Sequence, residues 1–181
     1  MKKFKLIPAL ITLLTISCSV WGQAGKNQVT FTIDGGTFHH QLITINSNPK
    51  AAENGAWTSF AGSSYLKINL DDAPGDKTTS PKWDIDIAFN HVGTGTAKVN
   101  DPIANARIDH RVYFLLQVQE NGKNKYLQSS STSPDQTPGT ITITKLGPVG
   151  GTVEGNFEGT LKGADGMYTI TGGHFVATRK L

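Results

Sequence analysis

Hydrophobic and polar residues alternate repeatedly along this chain, which is the pattern of β-strands that bury only one face. RVYFLLQV at 111–118 is more continuously apolar, as in a central strand. The alternating runs are QVTFTI (28–33), TFHHQLITIN (37–46), SYLKINL (64–70), KWDIDIAF (82–89), GTITITK (139–145), GTVEGNFEGTL (151–161) and GMYTITGGHFVATR (166–179).

Turn signals separate these runs, including Asp34-Gly35-Gly36 and Asn121-Gly122, and the second of these turns precedes a further short run, KYLQS (125–129). The segments 48–56 and 100–110 are ambiguous, because each could form one helical turn or none. Short strands joined by glycine-rich turns indicate an all-β fold, an antiparallel β-sandwich or flattened barrel of about nine to ten strands.

The first 22 residues differ from the rest and resemble a secretory signal. A basic start is followed by an apolar segment from Leu6 to Ile16, too short for a bilayer span of about 20 residues. We therefore expect a signal peptide at 1–22 and a single all-β domain at 23–181, with no transmembrane helix in the mature chain. The expected location is secreted or periplasmic.

Cys18 is the single cysteine of the chain and allows a second interpretation of the signal. Cleavage before Gln23 would release the domain, whereas lipidation of Cys18 would make it an outer-membrane lipoprotein. Neither alternative leaves a pair of cysteines for a disulfide within one chain.

Charge argues against a nucleic-acid partner. Three of the 17 basic residues lie in the signal, so the mature domain has 14 basic and 14 acidic residues. No basic stripe remains to neutralise phosphates.

Asp84 and Asp86 are the most prominent polar residues inside an apolar run. Alternation places them with Ala88 on one face of a strand, and places Trp83, Ile85, Ile87 and Phe89 on the other. A solvated strand face is one interpretation; a cation site or a carboxylate pair of a hydrolase is another. Spacing alone supports neither chemistry, and no nucleophile motif is present, so we expect a protein that is not an enzyme.

Trp57, in GAWTSF, is the best candidate for an exposed aromatic side chain that stacks on a sugar, although the sequence favours burial of this side chain in the core. The histidines show no spacing typical of metal ligands, so we expect no metal and no cofactor. They are His39, His40, His91, His110 and His174. Adjacent His39 and His40 would face opposite ways on a regular strand.

The C-terminal third resembles a family of small exported β-domains of unknown function in Gram-negative bacteria. The shared strands correspond to Gly139 to Thr144, Gly150 to Leu161 and Ile170 to Phe175. The resemblance implies an envelope or secreted β-sandwich, often a lipoprotein, and it supplies no active site.

The strand WDIDIAF also resembles the Trp-Asp-Ile-Ala-Phe strand of secreted haem-scavenging proteins, although it is two residues longer. That family holds haem between two histidines, and none of the five histidines here matches them by motif. The resemblance implies an alternative function, a carrier of haem or lipid.

We therefore expect an exported, non-catalytic binding or structural domain with a glycan or envelope partner. Its binding loops would be 48–63, 71–81 and 100–110. The alternatives are the small-ligand carrier and a hydrolase that uses Asp84 and Asp86.

Overall fold

The computed structural model describes residues 27–48, 50–58, 65–73, 82–99, 112–120, 122–129 and 137–181. Regular structure in these ranges is entirely β, and one antiparallel sheet curls into a half-barrel, consistent with a β-sandwich or flattened barrel. The predicted fold class is confirmed. The strands of the described residues are β1 (Asn27–Gly35), β2 (Phe38–Ser47), β3 (Gly55–Thr58), β4 (Leu66–Asp71), β5 (Trp83–Phe89), β6 (Gly95–Lys98), β7 (Tyr113–Glu120), β8 (Lys123–Gln128), β9 (Gly139–Leu146), β10 (Thr152–Gly163) and β11 (Gly166–Thr178).

β10 is the branch point of the sheet. The main path runs β2-β1-β11-β10-β8-β7-β5-β4-β3, while β9 pairs with β10 and β6 pairs with β9. Residues 153–159 of β10 pair with β9, and Lys162 pairs with Gln128 of β8. One long strand therefore belongs to both halves of the sheet.

The curl of the sheet brings its last strand, β3, to the residues that follow β11. Ala56 forms a parallel bridge with Arg179, and Ala56 O accepts a hydrogen bond of 2.7 Å from Lys180 N. Thr58 N donates to Leu181 O at 3.2 Å. These bonds fasten β3, an end strand of the sheet, to the C-terminal residues of the chain.

The apolar residues of the alternating runs fill the inside of this sheet. Phe157 lies among three other buried rings, with centroid distances of 5.6 Å to Phe114, 6.0 Å to Phe31 and 6.5 Å to Phe175. Each of these side chains is at most 2% exposed. Burial of such aromatic groups is the main stabilising contribution to a core of this kind.

A buried polar cluster joins three strand ends near the start of β1. Asn27 Oδ1 accepts from Thr178 N at 2.7 Å, and Asn27 Nδ2 donates to Asn54 O at 3.2 Å. Asn54 Oδ1 in turn accepts from Asp71 N at 2.8 Å. The two asparagines therefore satisfy backbone groups that the curled sheet leaves unpaired.

The structure adds two strands of four residues, β3 and β6, that the sequence pattern did not predict. The ambiguous segment 48–56 contains tight turns, in which Ala51 N donates to Asn48 O and Asn54 N donates to Ala51 O, and then enters β3. The segment 100–110, the predicted signal at 1–22 and Cys18 lie outside the described residues.

Candidate functional site

Asp84 and Asp86 lie on the outer face of the half-barrel. The alternate residues of β5, Trp83, Ile85, Ile87 and Phe89, are buried in the core, whereas both aspartates are half-buried. The predicted division of this strand into an apolar face and an acidic face is confirmed. The aspartates are not fully solvated, however, because neighbouring strands carry side chains against them.

Asn69 holds the two aspartates together. It lies directly opposite Asp86 in the β4–β5 pair, and opposed residues of antiparallel strands project from the same face. Asn69 Nδ2 donates to Oδ1 of Asp84 and to Oδ1 of Asp86, at 2.9 Å each. The two carboxylate oxygens are thus no further apart than twice that distance.

Lys67 supplies the positive charge beside this group. Its Nζ lies 3.2 Å from Asp86 Oδ1. Burial lowers the pKa of Lys67, but the charge and hydrogen bond of Asp86, together with the charges of Tyr113 and Asp84, outweigh burial and leave that pKa above its ordinary value. Ala88 shares the face and is only 3% exposed, because Lys67 and Tyr113 lie opposite it on the two neighbouring strands.

The pKa of Asp84 is shifted toward neutral pH. Burial raises the pKa of Asp84 to about 6, and the negative charges of Asp86 and Asp71 act in the same direction. The hydrogen bond from Asn69 and the charge of Lys67 oppose this shift without cancelling it. Asp84 therefore changes its charge in mildly acidic solution.

Trp57 borders the same group from the edge strand. It lies opposite Lys67 in the β3–β4 pair and is half-buried, whereas its neighbour Ala56 points into the core. The described side chains around an open pocket of about 360 Å³ are Glu53, Trp57, Lys67 and Asn69. The structure thus places Trp57 on the outer face and not in the core.

The outer polar face is defined here as Trp57, Lys67, Asn69, Asp84 and Asp86. It contains all three residues that the sequence singled out as ligand-binding candidates, Trp57, Asp84 and Asp86. Sequence reasoning missed Lys67 and Asn69. The alternation in SYLKINL already places those two on one face of a strand, but only the strand order β3-β4-β5 shows which side chains they meet.

The histidines of the described residues are dispersed. His39 and His40 are both exposed, because His40 has φ of 50° and interrupts the alternation expected for them. His91 packs against the ring of Phe89, and His174 Nε2 lies 3.3 Å from Glu154 Oε1. His110 lies outside the described residues.

Neither a cluster of metal-ligating side chains nor a membrane-spanning helix occurs in the described ranges. These residues contain no group of three or more His, Cys, Asp or Glu side chains placed to hold a metal ion. They also include no helix with the length and apolar character needed to cross a membrane.

No protein family, curated protein or solved structure was found to match this chain.

Proposed function

We propose that this protein is a non-catalytic binding domain whose outer polar face binds saccharides. The observation that carries the proposal is the position of Trp57 beside a pocket bordered by Lys67 and Asn69. A sugar ring has an apolar C–H face, which packs on an indole ring, and hydroxyl groups that both donate and accept hydrogen bonds. Amide, ammonium and carboxylate groups next to a tryptophan suit both requirements.

The polar groups of the outer polar face are already held in place. Asn69 bonds both aspartates, and Lys67 pairs with Asp86, so these side chains keep little rotamer freedom. A ligand that binds them loses less conformational entropy than one that must order free side chains. Because the residues project from paired strands and not from long loops, their spacing is also rigid.

Calorimetric titration with a panel of neutral, acidic and amino oligosaccharides tests this proposal. We expect at least one saccharide to bind, and we expect Trp57→Ala to weaken that binding by tenfold or more. Val149→Ala, at an exposed apolar residue of the β9–β10 turn, is the matched control and should bind normally. Binding that survives Trp57→Ala unchanged, or a panel without any ligand, contradicts the proposal.

A second candidate function is hydrolysis of a glycosidic bond by the aspartate pair. Retaining glycosidases place their two carboxyl groups about 5–5.5 Å apart and keep one of them protonated. The shared bond to Asn69 brings Asp84 and Asp86 within a comparable distance, and the pKa of Asp84 is raised to about 6.

Turnover of aryl glycosides separates this candidate from simple binding. If the pair is catalytic, Asp84→Asn and Asp86→Asn each remove turnover while saccharide binding persists. Equal turnover by the wild type and by the variant that carries both Asp84→Asn and Asp86→Asn would show that the two aspartates are not catalytic residues.

The proposed setting for this function is outside the cytoplasm, as a secreted or periplasmic protein or as a lipoprotein anchored through Cys18. Intact mass of the protein recovered from an expressing Gram-negative host tests this. A chain that starts at Gln23 indicates release, and a chain that starts at a triacylated Cys18 indicates the anchor. Retention of residues 1–22 would overturn both.

A further inference from the structure

A second pocket lies at the end of the half-barrel where the β1–β2 turn approaches the end of β7. It has a volume of about 390 Å³, within the range of small-molecule sites. Its described lining residues are Thr37, Phe38, Gln41, Lys82, Trp83, Val118, Gln119 and Glu120. We call it the end pocket. Trp83 points away from the outer polar face, so the two sites lie on opposite sides of β5.

Two aromatic rings form the base of the end pocket. Phe38 and Trp83 lie with their centroids 5.7 Å apart, and they remain 6% and 7% exposed. The other aromatic side chains of the core are at most 2% exposed among the described residues. Phe38 and Trp83 are therefore the core rings whose edges a molecule in this pocket can touch.

Trp83 also has an unused hydrogen-bond donor. Its indole N–H donates to no atom of the described residues, although buried tryptophans usually find an acceptor. The described side-chain atoms that are both sealed from solvent and unpartnered are Ser47 Oγ and Asn54 Nδ2. The indole nitrogen of Trp83 is not one of these atoms, so among the described residues it is a donor whose hydrogen bond a molecule in the end pocket can accept.

The remaining polar groups favour an anion. Lys82 is exposed and has no carboxylate partner among the described residues, and Gln41 and Gln119 add amide donors. Glu120, the one carboxylate among the described lining residues, is already engaged. Its Oε1 accepts from Thr37 Oγ1 at 2.7 Å, and its Oε2 lies 3.5 Å from Lys125 Nζ.

We propose that the end pocket is a second ligand site, separate from the outer polar face, for a small ring that carries a carboxylate. The ring contacts the edges of Phe38 and Trp83. The carboxylate accepts from the indole N–H of Trp83 and pairs with Lys82, since a charged acceptor forms the stronger hydrogen bonds. The ring can be a sugar acid or an aromatic acid, because both present the same chemistry to these groups.

Nuclear magnetic resonance of the Trp83 indole group tests the proposal directly. Trp57→Phe leaves Trp83 as the single tryptophan of residues 23–181, so its indole resonance is unambiguous. This variant is titrated with glucuronate and benzoate, and with glucose and benzamide as their neutral counterparts. We expect a saturable shift with at least one acid, with Kd of about 1 mM or tighter, and at least tenfold weaker binding of its neutral counterpart.

Lys82→Gln in the same background should weaken binding of the acid about tenfold and abolish the preference over the neutral counterpart. Lys98→Gln, on the exposed edge strand β6, is the matched control and should have no effect. A response to glucuronate alone assigns a sugar acid, and a response to benzoate alone assigns an aromatic acid. No saturable shift with either acid, equal binding of the neutral molecules, or full affinity in Lys82→Gln overturns the proposal, whatever the outer polar face binds.

Discussion

The ammonium group of Lys125 lies 2.8 Å from Asp165 Oδ2 and joins the β7–β8 hairpin to the turn between β10 and β11. Asp165 Oδ1 accepts from the hydroxyl of Tyr168 at 2.7 Å. The ammonium also lies 5.0 Å from the ring centroid of Tyr168 and 5.8 Å from that of Phe38, and the Lys125 side chain is only 15% exposed. One cation therefore connects three hairpins at one end of the half-barrel.

Lys125→Met should lower the free energy of unfolding by about 1–3 kcal/mol. Methionine keeps the length of the side chain but loses the cation–π contacts. It also leaves the carboxylates of Asp165 and Glu120 without their positively charged partner. Chemical denaturation measures the change. Lys123→Met, at an exposed residue of the same strand, is the control and should change stability by about 0.5 kcal/mol or less. Equal stability of the two variants would show that the contacts of Lys125 between the hairpins do not stabilise the fold.

Asp165→Asn should lower the free energy of unfolding less in acid than at neutral pH. The hydrogen bond from Lys125, and then that from Tyr168, holds the pKa of Asp165 below its ordinary value. A lowered pKa adds stability above the unfolded-state pKa, and this contribution is lost as the pH falls through the folded-state pKa. The difference in unfolding free energy between wild type and variant, followed from neutral pH down to acid, should therefore shrink. A constant difference would contradict the assignment.

Asp84→Asn should become more stable relative to the wild type as the pH rises. The pKa of Asp84 is raised from 3.8 to about 6, so the folded wild type binds a proton that the unfolded chain releases between these values. The stability that this proton contributes is fully present below about pH 4 and is lost as the pH rises through about 6, an effect of about 3 kcal/mol. Asparagine keeps the acceptor for Asn69 and cannot ionise.

Unfolding free energies of the wild type and Asp84→Asn from pH 4 to 7.5 check this prediction. Glu158→Gln, at an exposed residue of β10, serves as the control for general charge effects. A difference that does not change between pH 4 and 7.5 would show that Asp84 is not held in the protonated form.

Gly155→Ala should destabilise the sheet by about 3 kcal/mol, because overpacked interiors force backbone shifts. A Cβ at Gly155 would overlap the carbonyl oxygen of Thr142 and lie 2.7 Å from Phe175 Cζ. Gly93→Ala is the matched control, since its Cβ would meet only the movable ring of His91, at 3.3 Å. Thermal unfolding of both variants measures the contrast, and similar melting temperatures would refute it.

Asn27→Ala should lower the free energy of unfolding by about 1–3 kcal/mol, because it removes the partners of one buried and one partly buried backbone group. These groups are Thr178 N–H and the carbonyl of Asn54. Gln28→Ala, at the next residue, removes an exposed side-chain bond to Asn46 and should be nearly neutral. A similar loss of stability in both variants, measured by denaturation, would mean that the buried cluster is unimportant.

Much of the fold could be predicted from the sequence because alternation is a local property. The burial of Trp83, Ile85, Ile87 and Phe89 follows from spacing alone. The strands β3 and β6 could not be found in this way, since four residues are too few to show a period. Asn27 gave no signal either, because its role depends on Asn54 and Thr178, which are distant in sequence.

The candidate sites, too, could be predicted only as far as residue type and local spacing allow. Trp57, Asp84 and Asp86 were recognisable by residue type, but their association through Asn69 requires the pairing of β4 with β5. Trp83 was recognisable only as a core residue. Its unpaired N–H becomes significant once Lys82 and Gln119 are known to border the same space.

Because β10 pairs with β9 over residues 153–159 and with β8 at Lys162, both parts of the sheet depend on this one strand. Loss of β10 would expose the rings around Phe157 and would remove a pairing partner of β8 and of β9 at the same time. The molecule should therefore melt as one cooperative unit, and a protease that cannot reach β10 should find no stable intermediate to cut.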